Sequence, residues 1–527
     1  MSDGEQAFDY CSFKRKIWDT RVKKSKVSRE RIFIALALKR ANKGSFFLTP
    51  ENDELDIAES LARDGLLGHE KSAFFIAHDI YEEWALEKYI DLEFTRKASK
   101  ATFFDSIGHS LAVRRSFRSW VSEKLLLNDE GVKDFLDDLI EDDEILPCWK
   151  DEIIVSILLS NYSESFFEKF ENELLSNDLE LTKRICFMLR IACKEIDDDL
   201  FESLGLKKRL SLPYEHLFTK PKGTGWPSLI KFVSDNIDKI GVENVGFVLP
   251  VLNEWNSKFK SGEATRLASL IALEFYKWTC SEDVYISSGE TKTKLLNTVV
   301  YGATEIKREL SDIFSEVIEN KYTEHRDPYV KLCKLVLTKI EGIAVARELP
   351  DETIALANLF WLMDYSKDHS YYRRRDERES RYGITNAHEL KYHPASAYQT
   401  PTYWLLQSNP RKAINFILDF VGKTTENITE FYGKDNFTVA KVVLTDSSVD
   451  HYVAANLWGA YRGTGDSPYL LSSILMALEK FFLTHGDSFD HDTLEKWLLY
   501  MLNNTNSSAI TAVVSSIVQA FPEKTFT

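Results

Sequence analysis

The chain has 527 residues, 44% of them hydrophobic and 28% charged, with a net charge of −16. That length excludes one hydrophobic core and that apolar fraction excludes a disordered polymer, so about three domains or an extended repeat array are expected. The negative balance excludes a general nucleic-acid coat, and no apolar run approaches the roughly 18 residues of a membrane span.

The N-terminus, Met1 to Glu5, is polar and acidic and does not read as a signal peptide. Six cysteines with no C-x-x-C pair give no zinc ribbon or thioredoxin-type site, and a reducing cytoplasm is the natural setting. Residues 1–50 carry twelve Lys/Arg against five Asp/Glu, whereas Asp129 to Glu144 is strongly acidic. Opposite poles of this kind steer partners or fix docking, or form two solvated faces.

In chain order, Phe13 to Val22 begins a helix, and Ser28 is the expected N-cap of a helix over Arg29 to Ala41 that Gly44 ends. Leu55, Ile57, Ala58, Leu61 and Ala62 recur at helical spacing. Gly65 and Gly68 punctuate a short β-like stretch that resumes over Ala73 to Ile76, and a long helix follows from His78 to about Phe94. Helix, helix and glycine-hinged wing is the winged-helix order. Beyond residue 95 apolar stripes of helical period continue almost unbroken, such as Phe166, Phe170 and Leu174, or Leu181, Ile185, Met188 and Leu189. Cys186 and Cys193, seven apart in this pattern, are expected to face a core.

The expected fold class is therefore all-α: an N-terminal winged-helix domain over residues 1–95, then an irregular, HEAT-like α-solenoid divided into helical-repeat regions 96–345 and 346–527. Two stretches interrupt the repeats, Tyr371 to Tyr403 and Leu457 to Pro468. Nothing after Ala520 reads as a polar capping repeat, so the array is expected to continue beyond it.

No G-x-x-x-x-G-K-[ST] loop, G-x-S-x-G elbow or H-E-x-x-H helix is present, so no catalytic residue is assigned and the chain is not expected to be an enzyme by itself. Lys222 to Trp226 and Arg462 to Asp466 read as turns. His485, Asp487, Asp490, His491 and Asp492 fit no standard metal spacing, and Asp490 or Asp492 serves as a helix cap; no metal site is assigned. Asp364, His369 and Arg373 to Arg375 read as an exposed charged loop. Arg114 and Arg118 fall on one helical face, Phe117 and Trp120 on another, which describes an amphipathic helix before a base-stacking stripe. His78 is different. A histidine where an apolar run gives way to a helix is, on local chemistry alone, more often a core or capping residue than one whose ring reaches a phosphate.

Taken together, Lys16-Ile17-Trp18-Asp19, Arg63 to Leu67, Ala77-His78-Asp79 with Glu83-Trp84-Ala85, Phe117 to Trp120, Pro394 to Pro401, Leu457-Trp458 with Tyr461-Arg462-Gly463, Met476 to Lys480 and Ser508 to Ala512 form a recognisable set. In that order they resemble the C-terminal half of bacterial STAND NTPases of the AVAST antiviral type, spread over most of the chain. The resemblance implies a winged helix and a helical-repeat sensor for a phage protein, with His78 as the phosphate contact and Asp79 beside it in a nucleotide-sensing triplet. It also implies a departure, since the family's ATPase core and effector are not in this sequence. The expected partners are a phage protein, a separate NTPase subunit, or both. No cofactor is expected on the chain alone, but ATP or ADP is expected to be shared with the missing NTPase domain. The region from Phe94 to Ser106 is the expected hinge. A DNA-binding regulator using residues 14–43, or a passive scaffold, are the competing readings.

Overall fold

The computed structural model describes residues 11–71, 73–96, 100–140, 142, 144–205, 218–280, 289–319, 329–363, 378–385, 390–444, 447–463 and 465–525. It is 74% helical, with three separate two-stranded antiparallel hairpins among the described residues. The fold is thus all-α and built from successive helical pairs, as the apolar periodicity requires. By density of contacts the chain divides into two compact units, Met1–Val251 and Leu252–Thr527. The division falls inside the helix Val245–Lys258, between Val251 and Leu252, one residue past Pro250.

In the first unit, residues 11–17 are helical and run into a π-turn, Trp18–Lys23, which Lys24 and Ser25 end with positive φ angles of 45° and 62°. Helix α1 is Val27–Lys43, and Gly44 at φ 59° ends it as expected. Its N-cap is Lys26 in extended conformation, so Ser28 lies inside the first turn and is not the cap. The backbone reversal at Lys24 and Ser25 sets the start earlier than side-chain chemistry alone would place it. Helix α2 is Leu55–Arg63. Strands β1 (Leu67–Glu70) and β2 (Ala73–Ile76) pair with Leu67 opposite Ile76 and Gly68 opposite Phe75. A Cβ at Gly68 would lie 2.1 Å from the Phe75 ring, so this strand position needs glycine. Leu48 adds an isolated bridge to Phe74, with both backbone bonds formed at 2.7 and 2.9 Å.

Helix α3 (Asp79–Thr95) is the centre of this unit. It buries Trp84, Ala85, Leu86 and Ile90 together with three glutamates, Glu82, Glu87 and Glu93. A buried carboxylate needs a cation, and each has one: Arg40 for Glu82, Lys14 for Glu87, Arg96 for Glu93. Helix α4 (Leu111–Leu126) packs along α3 and also against α5 (Pro147–Leu159). Phe117 and Trp120 of α4 are buried, while Arg118 pairs with Glu152 at 2.7 Å. The helix is amphipathic, and its arginine holds a neighbour in place.

Farther on, α6 (Glu180–Ala192) is followed by a hairpin absent from the sequence reading, β3 (Lys194–Ile196) with β4 (Thr219–Pro221). Its strands are three residues each and mostly polar, too short for a period-two signal. Cys186 and Cys193 are buried as expected, and burial pushes both thiols up to about 12. Lys222 to Trp226 forms the turn from β4 into α7 (Gly225–Asp235), where Gly223 and Gly225 let the chain cross the backbone of Leu158.

In the second unit, α8 (Glu263–Cys280) and α9 (Gly289–Tyr301) pack side by side. A polar seam runs between them, in which Asn256 donates to Ser269 at 2.9 Å and to the carbonyl of Thr298 at 2.9 Å. Helices α10 (Pro350–Trp361), α11 (Thr402–Ser408) and α12 (Pro410–Tyr432) follow. The expected interruption between α10 and α11 is largely irregular where described, with a short helix at Arg378–Arg381; Asp364, His369 and Arg373 to Arg375 lie outside the described residues.

A third hairpin, β5 (Thr438–Val443) with β6 (Ser448–Val453), was also not expected. His451 anchors it, with one ring nitrogen 2.9 Å from Thr511 and the other 3.0 Å from the carbonyl of Leu502. Helix α13 (Tyr469–His485) is the hub of the unit. The stretches singled out in the sequence converge on it: Ser396 donates its backbone N–H to Ser473 at 3.2 Å, Gly463 lies against Met476, and Ser516 bonds Glu479. Asp490 caps α14 (His491–Asn503) by accepting from the Thr493 N–H at 2.7 Å, as expected. No described helix is long and apolar enough to cross a membrane.

Candidate functional site

The junction at His78 is built from both sides. Strand β2 ends at Ile76, and the Ala77 N–H donates to the Leu66 carbonyl at 3.0 Å, closing the hairpin. His78 is the N-cap of α3, with extended φ and ψ of −142° and 133°, and its carbonyl accepts from Tyr81 at 3.0 Å. Its ring is exposed, 6.0 Å from the Tyr81 ring, and makes no hydrogen bond among the described residues. It does not cap the helix with its side chain. His78 thus stands at the N-cap position through its backbone alone, with its ring exposed.

Asp79 is differently placed. Its carboxylate lies 3.4 Å from Arg40, which also bonds Glu82 at 2.8 Å and covers the Phe46 ring at 5.5 Å. Burial pushes the Glu82 carboxyl upward against the pull of Arg40. Two carboxylates in the first turn of α3 already offset the positive end of the helix. Arg40 and Arg115 both act on Glu82, so the start of α3 has cations close to the exposed His78 ring. His78 presents a ring, and Asp79 holds Arg40.

The sequence reading missed a second cluster 

in the same unit. Lys14 donates to Glu87 and, at 2.6 Å, to Glu123, at the edge of a cavity of about 140 Å³ that Trp18, Trp84 and Trp120 also line. The indole N–H groups are committed elsewhere, Trp18 to Glu30 at 2.6 Å and Trp120 to Asp91 at 3.0 Å. Two carboxylates share one ammonium in a partly dry site, and burial pushes Glu87 up to about 7. Lys14 is held in its charged form by both neighbours. Cys11, beside them, has its thiol raised by burial and by Glu123, which is the wrong direction for a nucleophile. The cluster can take up a proton, but it does not form a nucleophile–base pair. Its sequence signal was Glu87 itself, three residues from Trp84 and three from Ile90, a charge in the apolar register of a helix.

Six of the twelve cations in residues 1–50 stand in ion pairs: Lys14, Lys23, Lys24, Arg29, Lys39 and Arg40. Among the described residues no group of three or more His, Cys, Asp or Glu is arranged to hold a metal ion. The chain matches no known family model and no curated protein.

Proposed function

We propose that this chain is the sensing and partner-binding portion of a STAND-type antiphage defence protein, not an enzyme by itself, which reads the nucleotide held by a partner NTPase. The observation that carries the reading is the exposed, unbonded ring of His78 at the start of a 17-residue helix. Order of elements supports it too: helix, bridge strand, helix, hairpin and long helix, the sequence of a winged helix, followed by helical pairs. Tight coupling of α3 to α4, through Ser119 donating to Glu83 at 2.7 Å and Trp120 to Asp91, gives a force at His78 a path into the helices beyond. A phage protein bound on those helices would act by favouring one arrangement of the coupled elements. The DNA-binding alternative is weakened, though not removed, by the ion pairs that hold six of the twelve cations in residues 14–43.

The test is co-purification with the product of the reading frame immediately upstream, if that frame encodes a phosphate-binding loop, followed by measurement of labelled ADP retained by the complex. His78→Ala is expected to lower retention about tenfold, the scale of one charge-assisted hydrogen bond, while Asp79→Asn lowers it less. Equal retention by wild type and His78→Ala removes the nucleotide-reading role.

A further inference from the structure

The second unit holds a cavity of about 310 Å³ that the nucleotide-reading proposal does not use. Its apolar lining comes from Phe360 and Trp361 at the end of α10, Ile384, Tyr392, and Leu470 at the start of α13. The Trp361 indole N–H donates to the Tyr392 phenol oxygen at 2.6 Å, so the indole is satisfied, while the phenol O–H has no acceptor among the described residues and is left to a ligand. The rings meet at 88°, a corner instead of a flat wall.

The rim has a different character. Lys391 and His393 line it and are exposed, and neither side chain has a hydrogen-bond or ion-pair partner among the described residues. Arg378 lies over the Tyr469 ring at 4.4 Å, and the His393 ring packs edge-on to the same tyrosine at 4.7 Å. The acidic group at the cavity is Glu379, which Arg378 approaches to 3.9 Å. Arg378 thus offsets Glu379, leaving Lys391 as a positive charge with no counter-ion among the described residues, and the His393 ring beside it as a further polar group. On a chain of net charge −16, an apolar cavity with a cationic mouth selects by charge as well as by shape. Size narrows the occupant. A cavity of roughly 150 Å³ holds one benzene ring, so this one suits two fused rings and a short arm.

We infer that this cavity binds a small planar aromatic acid, its rings against Trp361 and Tyr392 and its anionic group at Lys391 and His393. The inference is independent of the nucleotide reading, because it uses none of the residues around His78.

The experiment is titration calorimetry of the full chain with 2-naphthoate and with its neutral counterpart, 2-naphthalenemethanol. The acid is expected to bind with an affinity in the range of tens to hundreds of micromolar, on the order of what a dozen or so ligand atoms supply, and at least tenfold more tightly than the alcohol. Lys391→Gln, at an exposed position, is expected to weaken the acid about fivefold and leave the alcohol unchanged. Leu470→Phe, which fills the floor, is expected to abolish both. No heat or shift with 2-naphthoate at about 1 mM, well above that range, overturns the inference. So does equal binding of acid and alcohol, or an acid affinity indifferent to Lys391→Gln, since either would leave a greasy cavity without charge selection.

Discussion

Lys14 ties the N-terminal segment to two helices of the first unit. It is the shared donor to Glu87 and Glu123, and both it and Glu87 are largely withdrawn from water. Removing one partner of a buried pair leaves the other charge uncompensated, a cost of about 3 kcal/mol. Lys14→Met is therefore expected to lower the urea midpoint strongly at pH 8, and to recover part of that loss at pH 6 as the orphaned Glu87 takes a proton. The wild type has its own pH signature. Glu87 is raised from 4.5 to about 7, so between those values the folded chain binds more protons than the unfolded one. Stability then falls as pH rises from about 4.5 to about 7 and is level in this respect above it. Glu87→Gln should flatten that slope in urea titrations across pH 5 to 7.5. An unchanged slope would place the titrating group elsewhere. Glu87 in the apolar register was legible from local sequence, but its partner was not, because Lys14 and Glu87 are 73 positions apart and only packing joins them.

At the scale of elements, glycines separate two physical roles. Gly225 begins α7 where a Cβ would lie 2.7 Å from the Leu158 side chain and 2.8 Å from its Cα. Gly246, inside the helix Val245–Lys258, has open space around the same position. Gly225→Ala is expected to destabilise by about 1–3 kcal/mol through overpacking, and Gly246→Ala to stabilise by about 0.5–1 kcal/mol through helix propensity. Denaturation midpoints of the two variants should move in opposite directions; a shared direction would show that the crossing over Leu158 yields freely. The hairpins teach a related lesson. Thr438 to Val443 is rich in β-branched residues, a strand signal present in the sequence, whereas Ser448 to Val453 has two valines and no clean alternation, so the pairing as a whole was hard to read. The β3–β4 pairing joins strands more than twenty residues apart and offered no local signal at all.

For the whole molecule, the balance of −16 and the pairing of half the N-terminal cations lead to one expectation. A DNA duplex should not be retarded by micromolar protein at about 150 mM salt, where a protein with few free phosphate contacts loses its affinity. A mobility shift that persists there and weakens steeply with further salt would restore the DNA-binding reading of residues 14–43. The same accounting explains why charge counts along a sequence mislead. The excess of +7 in residues 1–50 is real, yet Asp64, Asp79, Glu82, Glu87 and Glu123 supply its counter-charges from outside that window.

Periodicity alone determined that this protein is all-α, that its helices pair in succession, and that a long helix begins next to His78, because a helical stripe and its breaks are written within a few turns of chain. Gly44 as a terminator, Asp490 as a cap and Cys186 and Cys193 as core residues followed from equally local chemistry. Only the tertiary structure decided which charges are spent on each other, that Asp79 is engaged while His78 is open, and that Trp361, Tyr392 and Leu470 enclose a cavity. Those outcomes depend on contacts between residues far apart in the chain, and their energies come from burial, which no window of sequence contains.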